Sequence, residues 1–315
     1  MAIVSTDVSK AASLLRQGEI VSIPTETVYG LAANALNDLA VTKIFEVKNR
    51  PSFDPLIVHI KNGSELEKYT LDVPKRAKEL AEKFWPGPLT LVLPKKSIIP
   101  DLVTAGLNTV GIRYPKHPVT QALLNEIDFP LAAPSANPFG YVSPTTASHV
   151  QNQLGEKIPF ILDGGACEVG LESTIVGFSN DWTLVHRLGG LSIEEIETVV
   201  GKVHLNLNVS SNPISPGQLS AHYAPGKKVI VGHKMSELLE GRREDRIGIL
   251  TFKEAYHGKD CYVLSGSGSL TEAARNIFSY LRELDESGVD IILAELVPDI
   301  GLGRAINDRL RRAAK

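Results

Sequence analysis

Short apolar runs that end in polar residues recur along the first 200 residues, and they constrain the fold more than any other feature of the chain. The runs at 56–60 and 110–114 have the length and composition of buried strands. Segments with helical spacing, such as 38–48, lie between them. This alternation indicates an α/β fold with a twisted, mixed sheet. Because such scaffolds present ligand-binding groups at strand ends, we expect the functional site among the polar residues there.

The pattern changes after Gly201. Residues 204–226 are rich in Asn, Ser, Pro and Gly and show no helical period, which is typical of a linker. Strand and helix signals resume at 227. They include a clear amphipathic helix over 270–284, where Ser269 and Glu272 form a predicted capping box. We interpret this region as a small Rossmann-like domain with its own core.

The predicted organisation therefore has three parts. They are an N-terminal α/β domain over 1–201, a linker over 202–226 and a C-terminal domain over 227–315. The linker is long and rich in Pro for a tether, so we expect it to fold over the site as a lid.

Composition excludes several classes of protein. The formal net charge of -3 argues against a broad nucleic-acid-binding face. Cys167 and Cys261 lie far apart, so we expect neither a disulfide framework nor a zinc site, as in a reducing compartment. The N-terminus lacks the pattern of a secretion signal, and no apolar run approaches the ~18 residues of a membrane span. We expect a cytoplasmic protein without membrane contact.

Cationic residues mark two of the polar segments. Lys48 and Arg50 follow a predicted helix, where they suit either a polyphosphate ligand or the helix dipole, and spacing does not decide between the two. Arg113 ends an apolar strand, and a buried guanidinium needs an anionic partner. No acid lies near it in sequence, so we predict a ligand carboxylate. His59, within a strand, has the pattern of a half-buried structural histidine more often than of a functional one.

Uncharged polar groups complete the candidate set. Ser135, Asn137 and Ser173 suit hydrogen bonding to a carboxylate or phosphate, although each also fits an ordinary turn. The carboxylates of Glu26, Asp163 and Glu172 could hold magnesium with nucleotide phosphates, but their spacing does not specify it. The Ser-Gly run at 265–269 fits either a phosphate loop or a flexible loop.

Eight motifs in sequence order resemble the YrdC/Sua5 family, the threonylcarbamoyl-adenylate synthases. They are Pro-Thr-Glu-Thr-Val-Tyr-Gly at 24–30, Lys-Asn-Arg-Pro at 48–51 with Pro-Leu-Ile-Val-His at 55–59, Trp-Pro-Gly-Pro at 85–88, Val-Gly-Ile-Arg at 110–113, Pro-Ser-Ala-Asn at 134–137, Asp-Gly-Gly at 163–165, Glu-Ser-Thr at 172–174 and Arg-Leu-Gly at 187–189. The linker motifs Ser-Pro-Gly at 215–217 and His-Tyr-Ala-Pro at 222–225 resemble those of the long, Sua5-type members. The resemblance covers nearly the whole chain.

The resemblance implies an enzyme that converts L-threonine, bicarbonate and ATP to threonylcarbamoyl-AMP, diphosphate and water. Partner threonylcarbamoyltransferase proteins then modify adenosine 37 of tRNA, and direct tRNA contact is an open expectation. ATP is a substrate, and Mg²⁺ is expected with it. The implied threonine-binding residues are Thr27, His59, Arg113, Ala133 and Ser173. The implied ATP-binding residues are Lys48, Arg50, Asp54, Thr109, Ser135, Asn137, Ser143, Arg187 and Tyr223, and Lys48, Arg50 and Arg113 are the expected catalytic groups.

The chain departs from the family pattern at two positions. Asp54 replaces an amide residue, and a carboxylate there would repel phosphate unless a cation intervenes. Phe139 replaces a serine. Two alternative functions are an RNA-binding module without adenylation activity, which the 6% aromatic content does not favour, and a carbamoyl-phosphate-using transferase, which would need zinc-finger cysteines.

Overall fold

A computed structural model describes residues 1–207, 223–242, 246–256 and 260–314, and within them the chain forms two sheets with helices packed around them. The strands are β1 (Ile3–Ser5), β2 (Val21–Ile23), β3 (Gly30–Asn34), β4 (Ile57–His59), β5 (Leu89–Pro94), β6 (Thr109–Arg113), β7 (Leu131–Ala132), β8 (Phe160–Leu162), β9 (Thr174–Phe178), β10 (Thr183–Arg187), β11 (His204–Leu205), β12 (Lys228–Gly232), β13 (Ile247–Thr251), β14 (Asp260–Val263) and β15 (Ile291–Glu295).

The helices are α1 (Val8–Arg16), α2 (Asp38–Lys48), α3 (Leu66–Tyr69), α4 (Lys75–Phe84), α5 (Asp101–Thr104), α6 (Pro118–Glu126), α7 (Ala147–Leu154), α8 (Ile193–Val200), α9 (Met235–Leu239), α10 (Leu270–Glu286) and α11 (Gly303–Ala313), with one 3-10 turn at Gly63–Glu65.

The large sheet is mixed and follows the order β1-β8-β2-β3-β7-β4-β6-β5-β9-β10-β11. Strands β4 and β6 are parallel, whereas β5 and β6 are antiparallel. The register sets His59 opposite Arg113 and Arg113 opposite Thr90. Residues far apart in sequence therefore meet at one end of neighbouring strands.

The small sheet follows the order β12-β15-β13-β14, and all its strands are parallel. The last strand, β15, lies between β12 and β13, and α10 packs on the sheet. A mixed sheet followed by a smaller parallel α/β sheet confirms the predicted fold class.

Local capping explains several of the helix boundaries. The Asp7 side chain accepts from the backbone N–H of Lys10 and begins α1, and Asn37 does the same for α2. Helix α8 begins with a complete capping box between Ser192 and Glu195.

The predicted capping box of α10 is only half formed. Ser269 accepts from the Glu272 backbone, but the Glu272 carboxylate accepts from the hydroxyls of Ser265 and Ser267 instead. This carboxylate occupies the start of α10. A phosphate is therefore not favoured at the Ser-Gly run.

The two sheets share one continuous core, contrary to the expectation of separate cores. One cluster of buried apolar residues joins Leu171 of the large-sheet region to Leu250 and Ile277 of the small-sheet region. Polar contacts reinforce the junction: Arg282 of α10 donates to the carbonyls of Val142 and Ser143. Separate sequence periodicities did not exclude this, because a helix presents more than one face for burial.

The first part of the segment predicted as a linker contains a short strand. Strand β11 pairs parallel with β10, so 204–205 belong to the large sheet. Residues 208–222 lie outside the described residues, and with them the Ser-Pro-Gly motif, His222 and most of the predicted lid. Description resumes at Tyr223, and the domain boundaries stay a prediction.

Candidate active site

A small cavity at the ends of β4, β6 and β10 is lined by half of the predicted site residues. Its volume is about 50 Å³, well below the ~300–1,000 Å³ of typical ligand pockets, so it must widen to admit ligands. The lining residues are Val28, Arg50, Ile57, His59, Arg113, Ala133, Pro134, Ser135, Glu172, Arg187 and Tyr223. A larger cavity of about 500 Å³ beside Trp85 contains none of the predicted site residues.

Arg113 already has a protein partner. Its Nη2 donates to Glu26 Oε1 at 2.7 Å and to Thr27 Oγ1 at 2.9 Å, and both ion-pair side chains are buried. No acid lies near Arg113 in sequence, but Glu26 supplies an anionic partner from a loop 87 residues away, so burial of the guanidinium does not by itself require a ligand carboxylate. Arg113 Nε is buried and has no hydrogen-bond partner. The guanidinium therefore keeps N–H donors beyond the two that Glu26 and Thr27 accept.

His59 is a neutral neighbour of this ion pair. Burial, together with the charge of Arg113, lowers the pKa of His59 to about 3. Its Nδ1 lies 3.3 Å from the Ile57 carbonyl oxygen. Neutral His59 offers a hydrogen bond to a ligand and is too weak a base to take a proton at neutral pH.

Ser173 connects Thr90 to Arg187, which lines the cavity. Its hydroxyl lies 2.7 Å from Thr90 Oγ1 and accepts from Arg187 Nη2 at 3.0 Å. Arg187 Nε also donates to the Ser173 carbonyl oxygen at 3.0 Å. Burial lowers the pKa of Arg187 to about 10, so the guanidinium stays charged at neutral pH.

Lys48 anchors the loop that contains Ser135 and Asn137. Its Nζ donates to the carbonyl oxygens of both residues, at 2.6 Å for Ser135, and the side chain is almost fully buried. Burial lowers the pKa of Lys48 well below its ordinary value. Because an ammonium group has three N–H bonds, one remains for a ligand. The Asn137 Oδ1 atom is buried without a partner.

Arg50 and Asp54 form a buried ion pair beneath the cavity. Arg50 Nη2 lies 2.9 Å from Asp54 Oδ2, although the geometry is not that of a hydrogen bond. Arg50 also donates to the Asp54 and Pro55 carbonyl oxygens. Burial raises the pKa of Asp54, while the charges of Arg50, Lys48, Arg187 and Arg312 oppose that rise. These cations offset the negative charge that Asp54 introduces where the family pattern has an amide.

The sequence did not predict the contact of Glu172 with Ser143 and Arg309, which forms the wall of the cavity on the side of the C-terminal region. Glu172 Oε1 accepts from Ser143 Oγ at 2.6 Å, and Glu172 Oε2 accepts from Arg309 of α11 at 2.9 and 3.1 Å. Although burial opposes ionisation, the charges of Arg309 and Arg187 hold the pKa of Glu172 below its usual value. The available signal was a guanidinium on the apolar face of α11, one turn from Ile306 and Ala313.

Tyr223, which the resemblance implies to bind ATP, lies at the same wall. Its ring is buried and stacks on Phe278, with ring centroids 5.7 Å apart. The guanidinium carbons of Arg309 and Arg312 each lie 4.9 Å from the Tyr223 ring centroid. Its φ of 64° lies in the left-handed region, which a bulky residue rarely adopts. Surrounding contacts therefore hold Tyr223 in a strained conformation.

Thr109 is the predicted site residue that the structure leaves outside this cluster. It lies four residues from Arg113 on the same face of β6, or about 13 Å away at the usual strand rise. There it lines a neighbouring groove with Val92 and Gly177. Gly111 lies between Thr109 and Arg113, so only an extended ligand running along β6 would reach both.

The carboxylates do not fit a protein-held magnesium ion. Glu26 pairs with Arg113, Glu172 pairs with Arg309, and Asp163 accepts from Tyr29 Oη and the Gly165 backbone. Across 1–207, 223–242, 246–256 and 260–314, no group of three or more His, Cys, Asp or Glu side chains is arranged to hold a metal. The suggestion of a site at Glu26, Asp163 and Glu172 is therefore wrong.

In the same ranges, no helix is long and apolar enough to cross a membrane.

Comparison with known proteins places this geometry in a family. Residues 13–189 match the Sua5/YciO/YrdC family model, described as "Telomere recombination". Residues 191–315 match the model described as "Threonylcarbamoyl-AMP synthase, C-terminal domain".

Relatives and a solved structure cover almost the whole chain. Threonylcarbamoyl-AMP synthase of Bacillus subtilis (strain 168) is 45% identical over 98% of this chain and 92% of its own length. The enzyme of the same name from Pyrococcus abyssi is 42% identical over 96% of this chain and 93% of its own length. The crystal structure of P. abyssi Sua5 complexed with L-threonine has a TM-score of 0.94 at 40% identity, covering 100% of this chain and 97% of that one. The chain therefore belongs to the Sua5/YrdC family and has both regions of its long, Sua5-type members.

Proposed function

We propose that the protein is an L-threonylcarbamoyladenylate synthase. It converts L-threonine, bicarbonate and ATP to threonylcarbamoyl-AMP, diphosphate and water. The observation that carries this proposal is the convergence of Arg50, Arg113 and Arg187 on one buried cavity, with Lys48 directly behind it. Such a set suits an amino-acid carboxylate beside a triphosphate. The names of the two full-length relatives support the same activity.

The threonine end of the site is proposed at Arg113. The unpaired Nε of Arg113 is the donor for the substrate carboxylate, and neutral His59 and Ser173 supply further hydrogen bonds. Thr27 orients Arg113, and Ala133 forms an apolar wall beside His59. In support, the P. abyssi relative was solved with L-threonine.

The nucleotide end is proposed along the opposite wall. Lys48 and Arg50 neutralise phosphate oxygens, with Asp54 balancing them, while Arg187 lies between the two ends of the site. Ser135, Asn137, Ser143 and Tyr223 surround the nucleoside. Ser143 donates its only hydroxyl hydrogen to Glu172, so toward ATP it acts as an acceptor, which suits a ribose hydroxyl or an amino group rather than phosphate. A nucleotide extended over Gly111 also reaches Thr109.

The chemistry then requires positioning more than a protein nucleophile. The threonine amine takes up carbon dioxide from bicarbonate to form a carbamate, with loss of water. A carbamate oxygen attacks the α-phosphorus of ATP, and the bond to diphosphate breaks. The cations hold the reacting oxygens together and offset the developing charge. Because a mixed carbamate–phosphate anhydride hydrolyses readily, a site set among buried side chains protects the product by limiting its contact with water.

Several expectations beyond the reaction stay part of this proposal. Mg²⁺ is expected only with ATP, since the described carboxylates form no site of their own. The product passes to tRNA threonylcarbamoyltransferase proteins that modify adenosine 37, and the enzyme works in the cytoplasm. Direct contact with tRNA is left to experiment.

The test is diphosphate release from ATP by the purified chain. We expect release to need both threonine and bicarbonate, and label from bicarbonate to appear in an AMP adduct. The control replaces threonine with valine, which has the same shape without the hydroxyl. Diphosphate release without threonine, or tRNA binding with no release at all, would contradict the proposal and favour an RNA-binding module.

A further inference from the structure

Helix α11 brings a buried arginine from the C-terminal region into the wall of the cavity. The Arg309 side chain has no exposed surface, and the Glu172 side chain is 8% exposed. Arg309 Nε and Nη2 both donate to Glu172 Oε2, and Nη1 donates to Asp308 Oδ2 at 2.8 Å. A buried arginine with this many directed bonds holds one fixed position.

Glu172 links the fixed guanidinium of Arg309 to Ser143. Its second oxygen, Oε1, accepts from Ser143 Oγ, so the carboxylate links Arg309 to a residue of the proposed nucleotide wall. Arg282 of α10 holds the same segment by donating to the Ser143 carbonyl oxygen. The orientation of Ser143 therefore depends on two arginines from the C-terminal region.

Charge gives Arg309 a second role. Glu172 lines the cavity that is proposed to receive a triphosphate, and an unpaired carboxylate there would repel it. Arg309 is the residue in direct ion-pair contact with Glu172. It also faces the Tyr223 ring, so one guanidinium stabilises two parts of the wall.

We propose that Arg309 is a positioning residue for ATP, which neutralises Glu172 and orients Ser143 and Tyr223 from the C-terminal region. The C-terminal region thus completes the nucleotide end of the site. The threonine end, at Arg113 and His59, does not depend on this contact. This inference rests on the proposed function for the identity of the ligand.

The experiment compares Arg309→Gln with a matched control on the same helix. Arg304 of α11 also makes an ion pair across the two regions, with Glu194, but outside the cavity and partly exposed. We measure binding of ATP alone and of threonine alone by titration calorimetry on the full chain, and diphosphate release in parallel. Arg309→Gln should weaken ATP binding by about 10- to 100-fold, with little change for threonine. Arg304→Gln should change neither by more than about twofold.

A charge rescue separates positioning from a structural role. In the double variant Glu172→Gln/Arg309→Gln the unpaired carboxylate is gone, so ATP should bind more tightly than to Arg309→Gln alone. Arg309→Lys keeps the charge with fewer directed bonds and should lie between the wild type and Arg309→Gln. If Arg309→Gln fails to fold, these two variants make the same comparison with the wild type.

Three outcomes would overturn the inference. Equal weakening of ATP and threonine, or equal effects of Arg304→Gln and Arg309→Gln, would mean that Arg309 only docks the two regions. Undiminished ATP binding in Arg309→Gln would exclude it from the site. If the wild type binds ATP but releases no diphosphate, the proposed function fails while the comparison of ATP affinities still stands.

Discussion

Replacing Arg113 with alanine should separate its two partners, the substrate and Glu26. The guanidinium donates to Glu26 Oε1 and Thr27 Oγ1, and its Nε, which has no hydrogen-bond partner, is the proposed donor to the threonine carboxylate. A charged hydrogen bond contributes about 1.5–3 kcal/mol, so Arg113→Ala should weaken threonine binding by roughly 10- to 150-fold. ATP binding should change far less, because Lys48, Arg50 and the bonds of Glu172 to its neighbours are unchanged.

The same substitution also leaves Glu26 as a buried carboxylate without its cation. Among the described residues, the Lys116 backbone N–H is the one other group that donates to the Glu26 carboxylate. Breaking a buried pair on one side costs about 3–5 kcal/mol of folding stability. The double variant Glu26→Gln/Arg113→Ala removes the stranded charge and should regain much of that stability, but none of the threonine affinity.

The assay pairs threonine titration with urea unfolding for both variants. Arg246→Ala, which breaks an exposed ion pair with Asp290, is the control for loss of an arginine away from the site. Unchanged threonine affinity with lost ATP binding in Arg113→Ala would refute the assignment. Recovery of threonine binding in the double variant would show that Arg113 acts only by balancing Glu26.

Three further predictions concern stability. His59 has a folded-state pKa of about 3, below its ordinary value of 6.5, so the wild type should lose stability as the pH falls from 6.5 to 3. The His59→Gln variant should lose less stability over the same range, as measured by urea unfolding at each pH. Lys48→Met should orphan the Ser135 and Asn137 carbonyl oxygens and cost about 1–3 kcal/mol, with weaker ATP binding; an ATP affinity like that of the wild type would contradict this. A chain truncated after Gly226 should unfold at lower urea than the full chain, because the core is shared; equal midpoints would support separate cores.

Local sequence signals were enough for most of the fold. The runs at 56–60 and 110–114 form β4 and β6 to within one residue at each end, because each is a short apolar run bounded by turn residues. Strand β3 was missed, since Gly-Leu-Ala-Ala-Asn has no β-branched residue, and its burial comes from lying between β2 and β7. The strand propensities of its residues do not predict that β3 lies between β2 and β7.

The site was predictable as a set of residues but not as a set of partners. The motifs indicated Arg113, Ser173 and Arg187, whereas the pairing of Arg113 with Glu26 depends on how distant loops meet. Likewise, nothing local to Arg309 names Glu172, 137 residues away, as its partner. Pairings across a sheet or between regions are set by packing, which single-sequence patterns do not specify.

The sequence separation between Arg309 and the large sheet also has a consequence for biosynthesis. The last strand of the large sheet ends at Leu205, about 100 residues before Arg309, which the ribosome takes about 5–20 s to translate at ~5–20 residues per second. Throughout that interval the nascent N-terminal region holds Glu172 without its cation. An emerging chain therefore cannot assemble its complete nucleotide wall until the residues through Arg309 have left the ribosome, which delays the onset of activity by at least that interval.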